Sequence, residues 1–145
     1  MIFVDSSAWL AASDVRDGNH RRALEFQGEL LEGAHGRLVT SDYVLDETLT
    51  LLRKRSGGKL TRDFVRGIEG SSSVQQIWVT PAHYRGALDL FLGQDEKSWS
   101  FTDCTTFVLM HVLGIAKAFT FDDDFRQAGF EALPHGPSSR RAASP

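Results

Sequence analysis

The stretch that decides the fold is IFVDSS at residues 2–7, a short apolar run that ends on Asp5. This pattern is typical of a buried strand that leads directly into a helix. Similar short apolar runs occur at residues 38–40, 74–79, 118–120 and 130–133, and helical patterns separate them. Alternation of strands and helices is the signature of a parallel sheet with helices on its faces. We therefore predict such a sheet, with IFV as one of its strands.

Capping and breaking residues mark the limits of the predicted helices. Ser41 or Asp42 can cap a helix that the SGG sequence at residues 56–58 stops, since serine and aspartate favour helix starts and glycine favours helix ends. A further helix is predicted over residues 60–70. The segment between the second and third strands is therefore expected to form two consecutive helices.

Composition excludes several classes of protein. The chain has 145 residues, which is the size of one domain, and its single cysteine, Cys104, excludes a disulfide framework and a cysteine-based zinc site. A net charge of -3 excludes nucleic-acid binding through bulk positive charge, so any such binding needs a local patch or a metal. The apolar runs are far shorter than the roughly 20 residues that span a bilayer. We expect a soluble, cytoplasmic domain at residues 1–133 and a disordered tail at 134–145, which contains no large apolar residue.

Carboxylates follow two of the predicted strands. Asp5 ends the first strand, and Asp122 lies just past the fourth. Open parallel sheets bind ligands outside the carboxyl ends of their strands, so the two acids project from one edge if these strands are neighbours. Capping of the helix that follows is the alternative for each, since aspartate is a favoured N-cap residue.

Glu47 is an acid in an unusual position on its predicted helix. Residues three and four apart share a helix face, so Glu47 lies beside Val44, Thr48 and Leu51 on or near the apolar stripe. Asp46 belongs to a solvated side instead. A carboxylate that faces the interior needs a partner, because an unpaired buried charge is very unfavourable. A boundary glutamate that pairs with a lysine or arginine is the alternative.

Asp103 lies in the first turn of a strongly apolar helix, three residues after Ser100, and Gly114 ends this helix. The spacing resembles a capping box, and the helix dipole favours an acid at this position. Asp103 alone therefore indicates only where a helix starts.

The four acids are more informative as a set, because Asp5, Glu47, Asp103 and Asp122 come from four separate elements. Carboxylates that meet without a cation repel one another and raise one another's pKa. Mg²⁺ or Mn²⁺ relieves this repulsion, since hard divalent cations take oxygen ligands. Such a cation can activate water and support displacement at phosphorus.

With these residues the sequence resembles the PIN-domain nucleases, and most closely the VapC-type toxins of bacterial toxin–antitoxin pairs. The matching pieces are IFVDSS at 2–7, VLDET at 44–48, SFTDC at 100–104, LGI at 113–115 and TFDDDF at 120–125. They stand in the family's order and cover roughly residues 1–133. The resemblance implies an α/β/α sandwich with a central parallel sheet of about five strands. It also implies an endoribonuclease that depends on Mg²⁺ or Mn²⁺, commonly forms a homodimer and is silenced by a partner antitoxin.

The resemblance also implies which acids and small polar side chains build the site. Its catalytic acids fall on Asp5, Glu47, Asp103 and Asp122, and its metal ligands fall on Asp5, Asp103, Asp122 and Asp124. Ser6 and Thr120 fall on positions that support the site. The run of three aspartates leaves open whether residue 122 or residue 124 dominates.

RNA has to be held beside this acidic site, and residues 53–66 form the only dense basic stretch of the sequence. We predict that Arg53, Arg55, Lys59 and Arg62 guide RNA phosphates. The alternative is an ordinary solvated helical face, which is what most charge runs are.

Other proteins with an aspartate after the first strand fit less well. A receiver-type signalling domain needs an aspartate after its third strand, where this chain has TP at 80–81, and a lysine after its fifth, where no lysine follows Lys117. A phosphatase of the haloacid-dehalogenase kind needs Asp-x-Asp, where the chain has DSS at 5–7. The remaining alternative is a PIN-fold RNA- or protein-binding module with a weak or unused metal site.

Overall fold

Five short strands form the central sheet of the computed structural model, which describes residues 1–136. They are β1 (Ile2–Val4), β2 (Leu38–Ser41), β3 (Val74–Ile77), β4 (Lys117–Phe119) and β5 (Glu131–Leu133). All neighbouring pairs are parallel, and the order across the sheet is β3-β2-β1-β4-β5. β1 and β4 are therefore direct neighbours, as the prediction of a shared edge for Asp5 and Asp122 requires.

Helices cover both faces of this sheet. They are α1 (Ser6–Ser13), α2 (His20–Leu31), α3 (Asp42–Glu69), α4 (Pro81–Gly93), α5 (Phe101–Leu113) and α6 (Asp124–Gln127). Successive side chains of a strand point to opposite faces, so Ile2 and Val4 pack into one core cluster with α1 and α2. Phe3 packs into the other cluster, which contains Phe107 of α5. The predicted sheet of five parallel strands between helical layers is confirmed.

The longest helix, α3, is broken at Gly57, which has a φ of +85°. This left-handed region is open to glycine and unfavourable for residues with a Cβ atom. The break divides α3 into two helices, as the SGG sequence at residues 56–58 predicts, although the second begins before residue 60. The direction of the chain after Arg55 therefore depends on one glycine.

β3 is shorter than the sequence predicts and ends at Ile77 rather than at residue 79. The backbone N–H of Val79 donates a hydrogen bond to Asp42 Oδ1 at 2.8 Å, and Trp78 is exposed. The chain has thus left the sheet before α4 begins. The predicted limits of α5 are confirmed, because Ser100 caps its start and Gly114, in the left-handed conformation, follows its end.

Two further predictions concern the C-terminal tail and membrane-spanning segments. Of the predicted disordered tail at 134–145, residues 137–145 lie outside the described residues. Within residues 1–136, no helix combines the length and the apolar character needed to cross a membrane.

Candidate active site

The predicted acids gather at the carboxyl ends of β1 and β4, in the middle of the sheet. A cleft of about 820 Å³ opens at this edge, and the acids that line it include Asp5, Glu47, Asp103, Asp122 and Asp124. They come from the end of β1, from α3, from α5 and from the segment after β4. The structure therefore brings all four predicted catalytic acids to one cleft.

Three of these acids form a tight cluster. Asp103, Asp122 and Asp124 each offer a carboxylate oxygen, and these oxygens lie within 4.8 Å of one another. Asp103 is buried, and the other two are half-buried. Asp5 is outside this tight group, but it is buried in the same cleft and its charge acts on both Asp103 and Asp122. The cluster contains both aspartates between which the sequence left the choice open.

Thr120 connects the two strand ends that carry the site. Its hydroxyl donates a hydrogen bond to Asp5 Oδ2 at 2.9 Å and accepts one from the backbone N–H of Asp122 at 3.0 Å. Thr120 is itself buried. A single side chain thus positions one acid directly and another through the backbone.

Ser7 is a residue of the site that sequence reasoning missed. Its hydroxyl donates to Asp5 Oδ2 at 2.8 Å, lies 3.2 Å from Thr120 Oγ1 and accepts the backbone N–H of Phe121 at 2.9 Å. The signal was present in the DSS triplet, because a serine two positions after an aspartate can reach its carboxylate. Its contact with Phe121, which is distant in the chain, carries no such signal.

Glu47 is held by Ser6 across the cleft. Ser6 Oγ donates a hydrogen bond to Glu47 Oε1 at 2.6 Å, and Glu47 is half-buried while Asp46 is exposed, as the helix pattern predicts. Within residues 1–136, the partner of this carboxylate is a neutral hydroxyl and not the lysine or arginine of the alternative interpretation. Ser6 lies where the resemblance places a supporting residue.

Capping and clustering occur together at this site. Asp103 Oδ2 accepts the backbone N–H of Ser100 at 3.2 Å in a capping box, and Asp5 caps α1. Asp122 Oδ1 accepts the backbone N–H of Asp124 at 2.9 Å. These hydrogen bonds fix the direction of each carboxylate. The acids can therefore cap helices and turns and also belong to the acidic cluster in the cleft.

Burial and crowding raise the pKa of the acids. Burial first, and then the charges of Asp5 and Asp122, raise the pKa of Asp103 to about 8. Burial is also the main cause that raises the pKa of Asp122 to about 6. The pKa of Asp5 is raised by burial although Ser7 and Thr120 donate hydrogen bonds to it. A group of carboxylates that resists ionisation on its own fits a hard divalent cation, which stabilises the ionised forms.

The basic stretch that follows Glu47 on α3 divides in the structure. Arg55 lines the cleft, whereas Arg53, Lys59 and Arg62 do not. Lys59 Nζ pairs with Asp63 Oδ2 at 3.1 Å in the second half of α3. Lys59 and Arg62 lie beyond the break at Gly57, and Arg55 is the member of the predicted set that lines the cleft.

Comparison with known proteins identifies the family. A family model for the PIN domain matches residues 2–131. The 23S rRNA-specific endonuclease VapC20 of Mycobacterium tuberculosis is 36% identical over 130 residues, which are 90% of this chain and 95% of that protein. A VapC ribonuclease of Archaeoglobus fulgidus is 30% identical over 124 residues, 84% of this chain and 77% of that protein.

The fold agrees with a solved structure of the same kind. The crystal structure of Mycobacterium tuberculosis VapC20, described as a toxin that cleaves the Sarcin-Ricin loop, matches with a TM-score of 0.81 at 35% identity, and covers 90% of this chain and 96% of that one. The chain belongs to the PIN-domain family. The predicted resemblance, the predicted fold and the predicted class of enzyme, a ribonuclease of the VapC toxin type, are confirmed by these relatives.

Proposed function

We propose that the chain is an endoribonuclease that depends on Mg²⁺ or Mn²⁺, hydrolyses RNA phosphodiester bonds and acts as the toxin of a toxin–antitoxin pair. The observation that carries the proposal is the cluster of Asp103, Asp122 and Asp124, whose carboxylate oxygens lie within 4.8 Å of one another. Asp5 and Glu47 line the same cleft. We assign the nuclease domain to residues 1–133.

The cluster and Asp5 would hold the cation. When bound there, Mg²⁺ or Mn²⁺ would supply charge neutralisation at the scissile phosphate and would activate a water for in-line attack. Asp5 accepts hydrogen bonds from Ser7 and Thr120 at Oδ2, and its carboxylate would contribute a ligand to the cation. Ser7 and Thr120 support the site by orienting this carboxylate.

Glu47 is assigned a part in the proton transfer. Its Oε1 is engaged by Ser6, and its Oε2 is the atom assigned to orient the attacking water and accept its proton. Ser6 acts as a positioning residue, because its short hydrogen bond holds the carboxylate at the cleft.

The proposed partners are RNA, a second copy of the chain and an antitoxin, and the proposed location is the cytoplasm, where RNA substrates occur. VapC20 is named for action on 23S rRNA, so an oligoribonucleotide with the Sarcin-Ricin loop is the first defined substrate to test. An apolar groove of about 250 Å³ between α1, α2 and the second half of α3 offers a surface for a protein partner. It is lined in part by Trp9, Leu31 and Phe64.

The test is cleavage of that oligoribonucleotide and of total RNA by the purified chain, with Mg²⁺, with Mn²⁺ and with a chelator. Asp5→Asn and Asp103→Asn are expected to abolish cleavage while the protein stays folded. Asp46→Asn is the matched control, because Asp46 is an exposed acid next to Glu47 on α3, and it is expected to cleave like the wild type. Cleavage that persists in chelator or in both site variants would overturn the proposal. Metal-independent RNA binding without cleavage would support the alternative, a PIN-fold binding module.

A further inference from the structure

We infer that Arg55 and Arg16 form a phosphate-binding subsite next to the acidic cleft, where they hold the RNA backbone on one side of the bond that is cut. This inference rests on the proposed ribonuclease function. It adds Arg16 to the predicted RNA-binding residues. It also implies that the RNA strand leaves the cleft on the side of Arg55.

The charge of the cleft restricts where RNA can lie. Seven carboxylates line it, those of Asp5, Asp17, Glu47, Asp103, Asp122, Asp123 and Asp124. Arg55 is the only cationic side chain among the described residues that line it. A divalent cation can balance the phosphate that is cut, but the neighbouring phosphates also need positive charge. The strand is therefore expected to leave the cleft past Arg55.

A second, shallower pocket adjoins the cleft at this point. It has a volume of about 330 Å³ and is lined by Ser13, Asp14, Val15, Arg16, Arg55, Ser56 and Leu60. The carboxylate of Asp14 is paired with Arg16 at 3.3 Å, whereas Arg55 adds a second positive charge. Arg55 lines both spaces, so the two pockets adjoin at this side chain. Guanidinium groups bind phosphate in a fork geometry, and the exposed Val15 beside them can contact a sugar or base. The mixture of charged and apolar side chains fits a nucleotide next to the bond that is cut.

Hydrogen bonds hold Arg16 in place at this pocket. Its backbone N–H and its Nε both donate to Asp14 Oδ1, at 2.9 Å and 3.3 Å, and Asp14 is buried. Its Nη2 donates to the carbonyl oxygen of Arg55 and lies 3.5 Å from Ser56 Oγ. The Arg16 side chain is nevertheless 65% exposed. It is therefore ordered by the protein and still accessible to a phosphate.

Two other arginines near the cleft make contacts with the protein, as Arg16 does. Arg126 Nη1 pairs with Asp123 Oδ1 at 2.7 Å on the α6 side of the cleft. Arg22 Nη2 donates to the carbonyl oxygens of Pro134 and His135. Neither of these two arginines lines the cleft itself, so Arg55 is the cationic side chain at its wall among residues 1–136.

The experiment measures RNA affinity as a function of salt in the cleavage-inactive Asp103→Asn background, with a labelled single-stranded oligoribonucleotide. The slope of log affinity against log salt is negative, and each lost phosphate contact makes it less steep by about 0.7 for a single strand. Arg16→Ala and Arg55→Ala are each expected to make the slope less steep by about this amount and to weaken binding about 5- to 10-fold at low salt. Arg37→Ala is the matched control, because Arg37 is an exposed arginine before β2, at the opposite edge of the sheet.

Two further measurements separate the subsite from a structural role of Arg16. Arg16→Lys keeps the positive charge and is expected to retain most of the salt dependence that Arg16→Ala loses. In the otherwise wild-type chain, Arg16→Ala and Arg55→Ala are expected to bind Mg²⁺ with unchanged affinity, as followed by the thermal shift that Mg²⁺ produces.

Unchanged salt slopes in both alanine variants would overturn the inference, and so would an equal change in Arg37→Ala. Failure of the proposed function gives a different result, because the wild-type chain then fails to cleave RNA with Mg²⁺ or Mn²⁺ whatever the salt slopes are.

Discussion

Thr120 donates its hydroxyl hydrogen to Asp5 Oδ2 at 2.9 Å and accepts the backbone N–H of Asp122 at 3.0 Å. These residues follow β4 and β1, which lie side by side in the sheet. One buried hydroxyl therefore connects acids that are more than a hundred positions apart in sequence.

The first prediction concerns this hydroxyl. Thr120→Val keeps the shape of the side chain. It removes the hydroxyl that donates to Asp5 Oδ2 and that accepts the backbone N–H of Asp122. We expect cleavage to fall about 10- to 100-fold, as is typical when a partner of a metal-ligating group is lost. Unfolding free energy should fall by about 1–3 kcal/mol, since buried polar groups lose a partner. Cleavage rates and urea unfolding measure the two effects. Thr120→Ser, which retains the hydroxyl, should restore most activity, and equal loss in both variants would contradict this role.

The second prediction concerns the cost of placing acids together. The pKa of Asp103 is raised to about 8 by burial and by neighbouring acids, so the ionised form is unfavourable in the metal-free protein. Asp103→Asn is expected to raise the melting temperature of the metal-free protein at pH 8 by several degrees, since about 1 kcal/mol corresponds to roughly 3–4 °C in a domain of this size. Mg²⁺ should then stabilise the variant much less than the wild type. A melting temperature of Asp103→Asn at or below that of the wild type at pH 8, without metal, is the contrary result.

The third prediction is the pH dependence of stability without metal. A carboxyl group whose pKa is raised from 3.8 to about 8, as for Asp103, binds more protons in the folded than in the unfolded state. The contribution of this group to the free energy of unfolding is therefore most stabilising below pH 3.8, and it is lost as the pH rises to about 8. Asp122, with a pKa of about 6, adds to the loss over the lower part of this range. The difference in melting temperature between the wild type and Asp103→Asn should grow in favour of the variant from pH 5 to pH 8. A constant difference over this range would show that the charge of Asp103 is not disfavoured by folding.

The fourth prediction separates Glu47 from the metal cluster. Glu47→Gln keeps an oxygen that can accept the Ser6 hydrogen bond but removes the proposed proton acceptor. We expect kcat to fall by about 10²-fold or more, with little change in melting temperature. Single-turnover cleavage at saturating Mg²⁺ measures the effect. A loss that excess Mg²⁺ restores would instead assign Glu47 to metal binding.

The fifth prediction concerns the break in α3. Gly57 has a φ of +85° with no atom close to the position of a Cβ, so Gly57→Ala introduces backbone strain rather than a clash. We expect the unfolding free energy to fall by about 1–3 kcal/mol, with weaker RNA binding because Arg55 and Arg16 meet at this break. Gly67→Ala is the control within the same helix, where open space and helical backbone make alanine neutral or stabilising by up to about 1 kcal/mol. Equal stability of the two variants would mean that the left-handed conformation at Gly57 is not required.

The sequence alone determined the local structure that surrounds the site. Ser100 and Asp103 form the capping box that their spacing predicts, and Gly57 ends the first half of α3. The helix pattern distinguishes Glu47, at the cleft, from Asp46, in solvent. These features are readable because they depend on hydrogen bonds and side-chain periods within a few residues.

Only the tertiary structure decided which distant groups touch. It brings Ser7 to the backbone of Phe121, Thr120 to Asp5 and Arg16 to the carbonyl of Arg55. It also places Arg55, and not the nearby Lys59, at the wall of the cleft. Such contacts depend on the order of the strands, on their register and on the direction of α3 after Gly57. Local sequence is compatible with several of these arrangements, and the packing of the whole core decides between them.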